Sequence, residues 1–507
     1  MPCNSGSARV VCLVLLLFSL PLDLKAGTLF KPAITYPSGG DNAVSIAVAD
    51  INGDGNLDVV VSNYFACDSC ITNGAVGVLL GNGDGTFQAA LAFDSGGSGT
   101  SGIAVADMNG DGHLDIVVAN TCAAGTFCDG NSNTGSVAVL LGNGDGTFQP
   151  AKVYSSGSQQ SRYLALGDFN RDGKIDAVVA DGCGGCGLKN FSVLLGDGQG
   201  GFQSPQTYNL GAEPVGITAG DVNGDGKLDL VMGLQGAAGQ PNSIIVLLGR
   251  GDGTFSNPRP LSPAGSFPWL TDLNGDGKLD LVVAAACSNV KCTIGGVGVL
   301  LGNGDGTFQP MQVYSSGGYV TNFVVTADIN RDGLQDVLVD NYSGTVGALL
   351  GNGTGSLARV HLYDPGQGGP FSMAIGDVNN DGKPDLIVAI YELNNISSGG
   401  VSVLLNNTFW TTATVLASSP NPSVQGHPVT LMATVSTEGS ISPTGKVSFK
   451  NGDSKIGAAS LVGNRATLTT AKLPTGSLTL TATYEGDSNS ARSTSHAVIQ
   501  VVNPATE

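Results

Sequence analysis

Apolar residues in this chain arrive in short β-branched runs separated by clusters of Gly, Asn and Asp, and the spacing of the runs repeats. One stretch reads GIAVA at 102–106, IVVA at 116–119, SVAVLL at 136–141 and TFQPAKVY at 147–154. Each run is too short for a helix and rich in Val, so each predicts a strand. The string LLGNGDGTF at 79–87, 140–148 and 300–308, with looser copies from Leu194, Leu247 and Leu349, predicts a hairpin turn between the third and fourth strands.

Between the first and second run of every unit stands one nine-residue string. It reads DINGDGNLD from Asp50, DMNGDGHLD from Asp107, DFNRDGKID from Asp168, DVNGDGKLD from Asp221, DLNGDGKLD from Asp272, DINRDGLQD from Asp328 and DVNNDGKPD from Asp377. The starts lie 57, 61, 53, 51, 56 and 49 residues apart, a period that marks propellers and other arrays. Four strands per unit is the make-up of one propeller blade. The seventh unit stops after VSVLL at 401–405, while LFKPAITY at 29–36 copies a fourth strand. Pairing the two closes a ring and removes the free sheet edges. The expected fold is all-β: a seven-bladed β-propeller over 27–407 with N-terminal strand closure, a linker at 408–412, and a C-terminal Ig-like β-sandwich over 413–503.

Oxygen side chains at positions 1, 3, 5 and 9 of a tight loop, with Gly at 6, are what a hard cation such as calcium requires. The candidate ligands are Asp50, Asn52, Asp54 and Asp58; Asp107, Asn109, Asp111 and Asp115; Asp168, Asn170, Asp172 and Asp176; Asp221, Asn223, Asp225 and Asp229; Asp272, Asn274, Asp276 and Asp280; Asp328, Asn330, Asp332 and Asp336; and Asp377, Asn379, Asp381 and Asp385. Position 7 (Asn56, His113, Lys174, Lys227, Lys278, Leu334, Lys383) ligates only through its backbone carbonyl. An EF-hand would carry Glu at position 12 between helices; position 12 of the first string is Val61 and the flanks have strand character. Asp, Asn and Gly also build ordinary turns, but seven such strings in register disfavour that reading. Up to seven calcium ions, one per blade, are expected.

These residues resemble the FG-GAP or VCBS repeats of the integrin alpha N-terminal type, over about residues 28–407. The resemblance implies a seven-bladed propeller whose hairpin loops bind calcium through the Asp, Asn, Asp and Asp of each string. The chain departs from integrins in carrying the string in all seven units and in lacking an inserted ligand-binding domain, so integrin partners are not carried over. After residue 407 the composition turns to Thr, Ser and Val, and seven further strand runs follow to residue 502. The stretches SSPNPSVQGHPVTLMATV, PTGKVSFKNG and LTATYEGDSN resemble bacterial Ig-like domains, without the antibody-type cysteine pair.

Residues 1–26 read as a secretory signal, with Arg9, an apolar run at 10–20 and small Ala26 before Gly27. The run is too short to span a membrane, and the chain is expected to be exported and free of transmembrane segments. The net charge is −19. Without Arg9, Asp23 and Lys25 it is −20, and seven divalent ions bring it to about −6. The acidity is therefore mainly ligand charge, and the few basic residues disfavour nucleic acid. Eight cysteines fall between second and third strands in four local couples: Cys67 and Cys70, Cys122 and Cys128, Cys183 and Cys186, Cys287 and Cys292. Disulfides that staple loops are expected; zinc or redox chemistry is the alternative for the two C-x-x-C couples.

Strand alternation puts these loops opposite the calcium strings. Tyr64, Phe65, Phe127 and Lys189 are the candidate partner-binding residues there; solvated loops stapled against proteolysis are the bland alternative. No H-E-x-x-H or G-x-S-x-G string occurs, and His113, His361, His427 and His496 are scattered. No catalytic residue is assigned. The expected function is non-enzymatic interaction or adhesion with an extracellular protein or surface. A lectin-like propeller with aromatic pockets at blade junctions is the alternative, and a glycan lyase or hydrolase the third.

Overall fold

The computed structural model describes residues 29–505 apart from 67–72, 124–134, 158, 183–186, 188, 237–241, 262–264, 286–294, 367, 392–397, 438–441 and 488. Every regular element among them is a strand. The leader read at 1–26 lies outside the described residues. None of the described residues belongs to a helix long and apolar enough to cross a membrane.

Five sheets of four antiparallel strands follow one another along the chain, and a seven-stranded sheet joins the two ends of the array. Strand Ile34–Ala49 is the shared member of that larger sheet. Its start pairs with the last unit, Ile34 opposite Val403, and its end pairs with the first, Ala49 opposite Asp58. The N-terminal segment thus supplies the missing fourth strand, but it runs on into the first unit as one strand where the sequence suggested two. An isolated bridge from Phe30 to Asn406 and a bond from the Lys31 amide to the Leu405 carbonyl (2.8 Å) extend the closure. Fourth strands are shorter than their runs suggest. Phe148 only bridges Gly142, and the strand proper is Lys152–Ser155, because Pro150 has no amide for the ladder.

Burial explains the unbroken apolar runs. Strand Ala75–Leu79 is buried throughout and Asp58–Phe65 is buried as far as Asn63, since another unit packs on each face. Val59 and Val61 join Ile387 and Ala389 of the last unit, whereas Val60 joins Ile103 and Ile116 of the second. Successive side chains point to opposite faces, so both faces must be apolar. First strands line a central channel and fourth strands form the exposed rim.

The two ends of the ring are held differently. At one end the hairpin between third and fourth strands locks onto the nine-residue loop of the preceding unit. Gly85 donates to the Val378 carbonyl (3.0 Å), Gly200 to Met108 (3.3 Å), Gly253 to Phe169 (3.1 Å) and Gly306 to Val222 (3.1 Å). At the other end a buried Asn closing the second strand clamps the turn that enters the unit. Asn63 Nδ2 donates to the Ser38 carbonyl (3.2 Å), Asn120 to Ser95 (3.0 Å) and Asn341 to Ser316 (3.2 Å).

The C-terminal domain is a sandwich. Thr412–Ser419, Val429–Thr437 and Arg465–Thr470 form one sheet; Lys446–Asn451, Ser454–Ser460, Gly476–Tyr484 and Val498–Asn503, with two short strands, form the other. Leu431, Val435, Phe449, Leu480 and Tyr484 fill the core without a cysteine. The expected linker is not free: the Trp410 amide donates to the Asn489 carbonyl (2.7 Å) and Lys383 Nζ to Asn489 Oδ1 (3.2 Å).

Candidate functional site

In each nine-residue loop the backbone wraps around the first carboxylate. Asp50 Oδ1 accepts the Asp54 amide (3.1 Å) and its Oδ2 the Gly55 amide (2.9 Å), while Asp54 Oδ1 accepts the Asn56 amide (2.8 Å). Asp107, Asp168, Asp221, Asp272, Asp328 and Asp377 repeat the first pair of bonds. The turn needs glycine at position 6, where Gly55 has φ +85°. These amide bonds hold the Asp54 and Asp111 carboxyls below the usual range.

Position 9 behaves differently, and the sequence did not foretell it. Asp58, Asp115, Asp176, Asp229, Asp280, Asp336 and Asp385 are all fully buried. In every case one oxygen accepts the amide of loop position 2, and the other accepts an amide just after the third strand, at the start of the next hairpin in six units and at Asn406 in the last, at 2.7–3.1 Å. Desolvation pushes these carboxyls up, to about 6 for Asp229 and about 7 for Asp336 and Asp385, against the pull of the amides. For Asp58 the charges of Asp54 and Asp50 push further in the same direction.

Among the described residues, no three His, Cys, Asp or Glu side chains converge as a ligand group; each oxygen of position 9 accepts an amide. Positions 1, 3 and 5 with the carbonyl at 7 remain an all-oxygen set of the kind calcium takes. A divalent ion there would relieve the repulsion between carboxylates. The position-7 side chains make contacts of their own. Lys174, Lys227, Lys278 and Lys383 bring Nζ to 3.4, 3.0, 3.9 and 3.2 Å from the position-5 carboxylate of the same loop. The side chains of Asn56 and His113 lie against Gly83 and Gly144 of the outer hairpin, where a Cβ would collide with them.

The central channel encloses about 1130 Å³. Its wall gathers Tyr64, Phe65, Tyr163, Phe267, Trp269, Phe323, Phe371 and Tyr391 from five units. Arg162 is the single charged residue among the lining residues described. Aromatic rings at blade junctions are instead packed away in edge-to-face pairs: Tyr36 with Phe87 (5.6 Å), Phe93 with Phe148 (5.3 Å) and Tyr154 with Phe202 (5.7 Å). The junction pockets expected of a lectin are filled there by the protein's own rings.

The model of the FG-GAP-like repeat matches residues 65–118, 125–179, 184–232, 272–339 and 328–388, and that of the FG-GAP repeat matches 42–78 and 99–140. The chain belongs to the FG-GAP repeat family. A bacterial Ig-like domain (group 3) matches 416–503 of this FG-GAP protein, and with the strand pairing it establishes a propeller followed by an Ig-like domain. A search of curated protein sequences returns no match. Similar solved structures include U3-55K (9% identity, TM-score 0.46, covering 74% of this chain and 98% of that one). The Dos1 propeller (11%, 0.43, 74% and 95%) and the exotype rhamnogalacturonan lyase YesX (13%, 0.43, 75% and 73%) are others. With all three TM-scores below 0.5, the fold assignment rests on the repeats and the strand pairing.

The FG-GAP ring brings Tyr64 and Phe65 to the channel, their rings 4.9 Å apart. Lys189 is exposed and does not line it. Phe127 lies outside the described residues, as do Cys67, Cys70, Cys128, Cys183, Cys186, Cys287 and Cys292. Cys122 is buried and disulfide-bonded. Sequence reasoning missed Arg162, Phe267 and Trp269, because residues so far apart share a wall only once the ring closes.

Proposed function

We propose that this FG-GAP protein is an exported, calcium-stabilised recognition module that engages an extracellular partner without transforming it. FG-GAP propellers suggest protein interaction, and one observation extends that role here. The seven acidic loops occupy one end of the ring, whereas the far ends of the second strands, with the aromatic residues Tyr64 and Phe65, lie at the other. The metal end stiffens; the opposite end is free to vary and to bind. Asp50, Asn52, Asp54 and the Asn56 carbonyl, with their counterparts in the other loops, would hold the ions, whose contribution is to neutralise carboxylates and tie each loop down. The described channel lining has no Asp, Glu, His or Cys, which favours binding over acid–base chemistry.

The test is calcium titration by calorimetry combined with thermal unfolding of the exported chain. Several ions bound per chain, and a propeller transition that falls on chelation while the Ig-like transition stays, are expected. A ligand present at a hundred times its dissociation constant adds about 2.7 kcal/mol per site. No calcium uptake together with identical melting in chelator overturns the calcium part of the reading.

A further inference from the structure

The channel mouth carries a feature the loop-face reading does not use. Tyr163, Phe267, Phe323 and Trp269 follow one another around the wall, with ring centroids 5.8, 6.3 and 6.4 Å apart in turn. Trp269 is fixed by a bond from Nε1 to Thr326 Oγ1 (3.1 Å). Phe267 has φ +46°, at a break in register between Ser266 and Pro268. A bulky residue pays for that backbone conformation only where surrounding structure enforces it. Gly216 makes room, since a Cβ there would strike the Phe267 backbone. The strain places one more ring on the channel wall.

Arg162 stands beside this arc, its guanidinium carbon 6.0 Å from the centre of the Tyr163 ring. No described carboxylate forms an ion pair with it. Hydroxyls of Ser45, Ser101, Thr121 and Thr218 line other parts of the wall. A cavity of about 1130 Å³ exceeds the roughly 300–1,000 Å³ of ordinary small-molecule pockets, so one inserted side chain would leave most of it empty.

The geometry points to a binding site for an acidic oligosaccharide in the channel, with sugar rings stacked on the Tyr163–Phe267–Phe323–Trp269 arc and a uronate carboxylate on Arg162. Flat aromatic faces suit the C–H face of a pyranose, wall hydroxyls suit its rim, and a guanidinium with no ion pair among the described residues selects a carboxylate through two parallel N–H···O bonds. No Asp or Glu is described in the lining itself, and the nearest recorded negative charge is that of the buried Glu213, which is felt at Tyr163. The site goes beyond the loop-face reading and stands without it, because no loop residue and no protein partner enters the argument.

The test is isothermal titration of the intact exported chain, in calcium, with a β-1,4-linked glucuronic acid trisaccharide and with its neutral counterpart cellotriose. The acidic sugar should bind at least tenfold more tightly, the scale of one charge-assisted contact. Arg162→Gln should abolish that preference and Arg162→Lys should restore part of it. Lys152→Gln, on an exposed fourth strand outside the channel, should change neither affinity. Absence of binding by the glucuronic acid trisaccharide, equal affinity for the two sugars, or an unchanged preference in Arg162→Gln overturns the proposal. The wild-type comparison decides even if a variant misfolds, and a partner captured through the loops with no sugar affinity would leave the proposed function intact and remove this site.

Discussion

Asp58 reaches across its unit to Gly81: Oδ1 accepts the Gly81 amide at 2.7 Å while Oδ2 holds Ile51 at 2.9 Å. One buried carboxylate thereby joins the acidic loop to the next hairpin; the same bridge recurs in the next five units, and in the last Asp385 holds Asn406 instead. Asp58→Ala leaves two buried amides without acceptors, which costs about 2–5 kcal/mol. The loss should appear in urea unfolding both with calcium and with chelator. Asp54→Ala, whose carboxylate faces outward, should lower stability in calcium and have little effect in chelator. Equal calcium dependence of the two variants would remove the distinction between bridge and ligand.

Lys227 would compete with a cation for the loop it belongs to. Its Nζ lies 3.0 Å from Asp225, with both side chains about a third exposed. Such a solvent-exposed pair contributes little to folding, yet a cation entering the loop must displace or tolerate the ammonium. Lys227→Gln should raise calcium affinity at that loop severalfold and leave the stability of the chelated protein nearly unchanged. Calorimetric titration of the variant against wild type reads the difference.

The strands were legible because they are local: runs such as GIAVA at 102–106 declare themselves by composition, and the copy of a fourth strand at 29–36 announced the ring closure. Other features depend on distance. An Asp at position 9 looks the same whether it meets a metal or an amide 23 residues away at Gly81. The channel arc joins Tyr163 to Phe323 across 160 residues of unlike local sequence, and the turn of Phe267 toward the wall comes from a bulge that no pattern of apolar residues records. Aromatic content alone therefore said little about binding.

Asp340 gives the propeller a pH dependence apart from the loops. Its Oδ1 accepts the Asn322 and Phe323 amides at 2.9 and 2.6 Å, its Oδ2 has no partner, and burial pushes its carboxyl up to about 8. The folded chain holds this proton more tightly than the unfolded chain, so its contribution is greatest below about pH 4 and is lost as pH rises to about 8. Asp340→Asn keeps the acceptor and removes the charge. It should stabilise the protein by roughly 2 kcal/mol or more at pH 8 and by little at pH 4. Urea midpoints of both proteins across that range, in saturating calcium, check the sign.

Ring closure rests on a short N-terminal segment. Residues 34–37 pair with the last strand of the array, and Phe30, 2% exposed, packs with Met373, Leu386 and Leu404. Phe30→Ala should cost about 3–5 kcal/mol, as for other large-to-small changes in a core. Removing 29–37 does more, because it strips the outer strand from the last unit and exposes the backbone of Ser398–Leu404 as an open edge. Open edges recruit further strands, so the shortened chain should form oligomers that light scattering detects at concentrations where the full chain does not. A synthetic peptide of residues 29–37 should suppress them by occupying the edge. Persistence of a monomer without the segment would mean that the contacts between hairpins and loops, such as Gly85 to Val378, are enough to hold the ring.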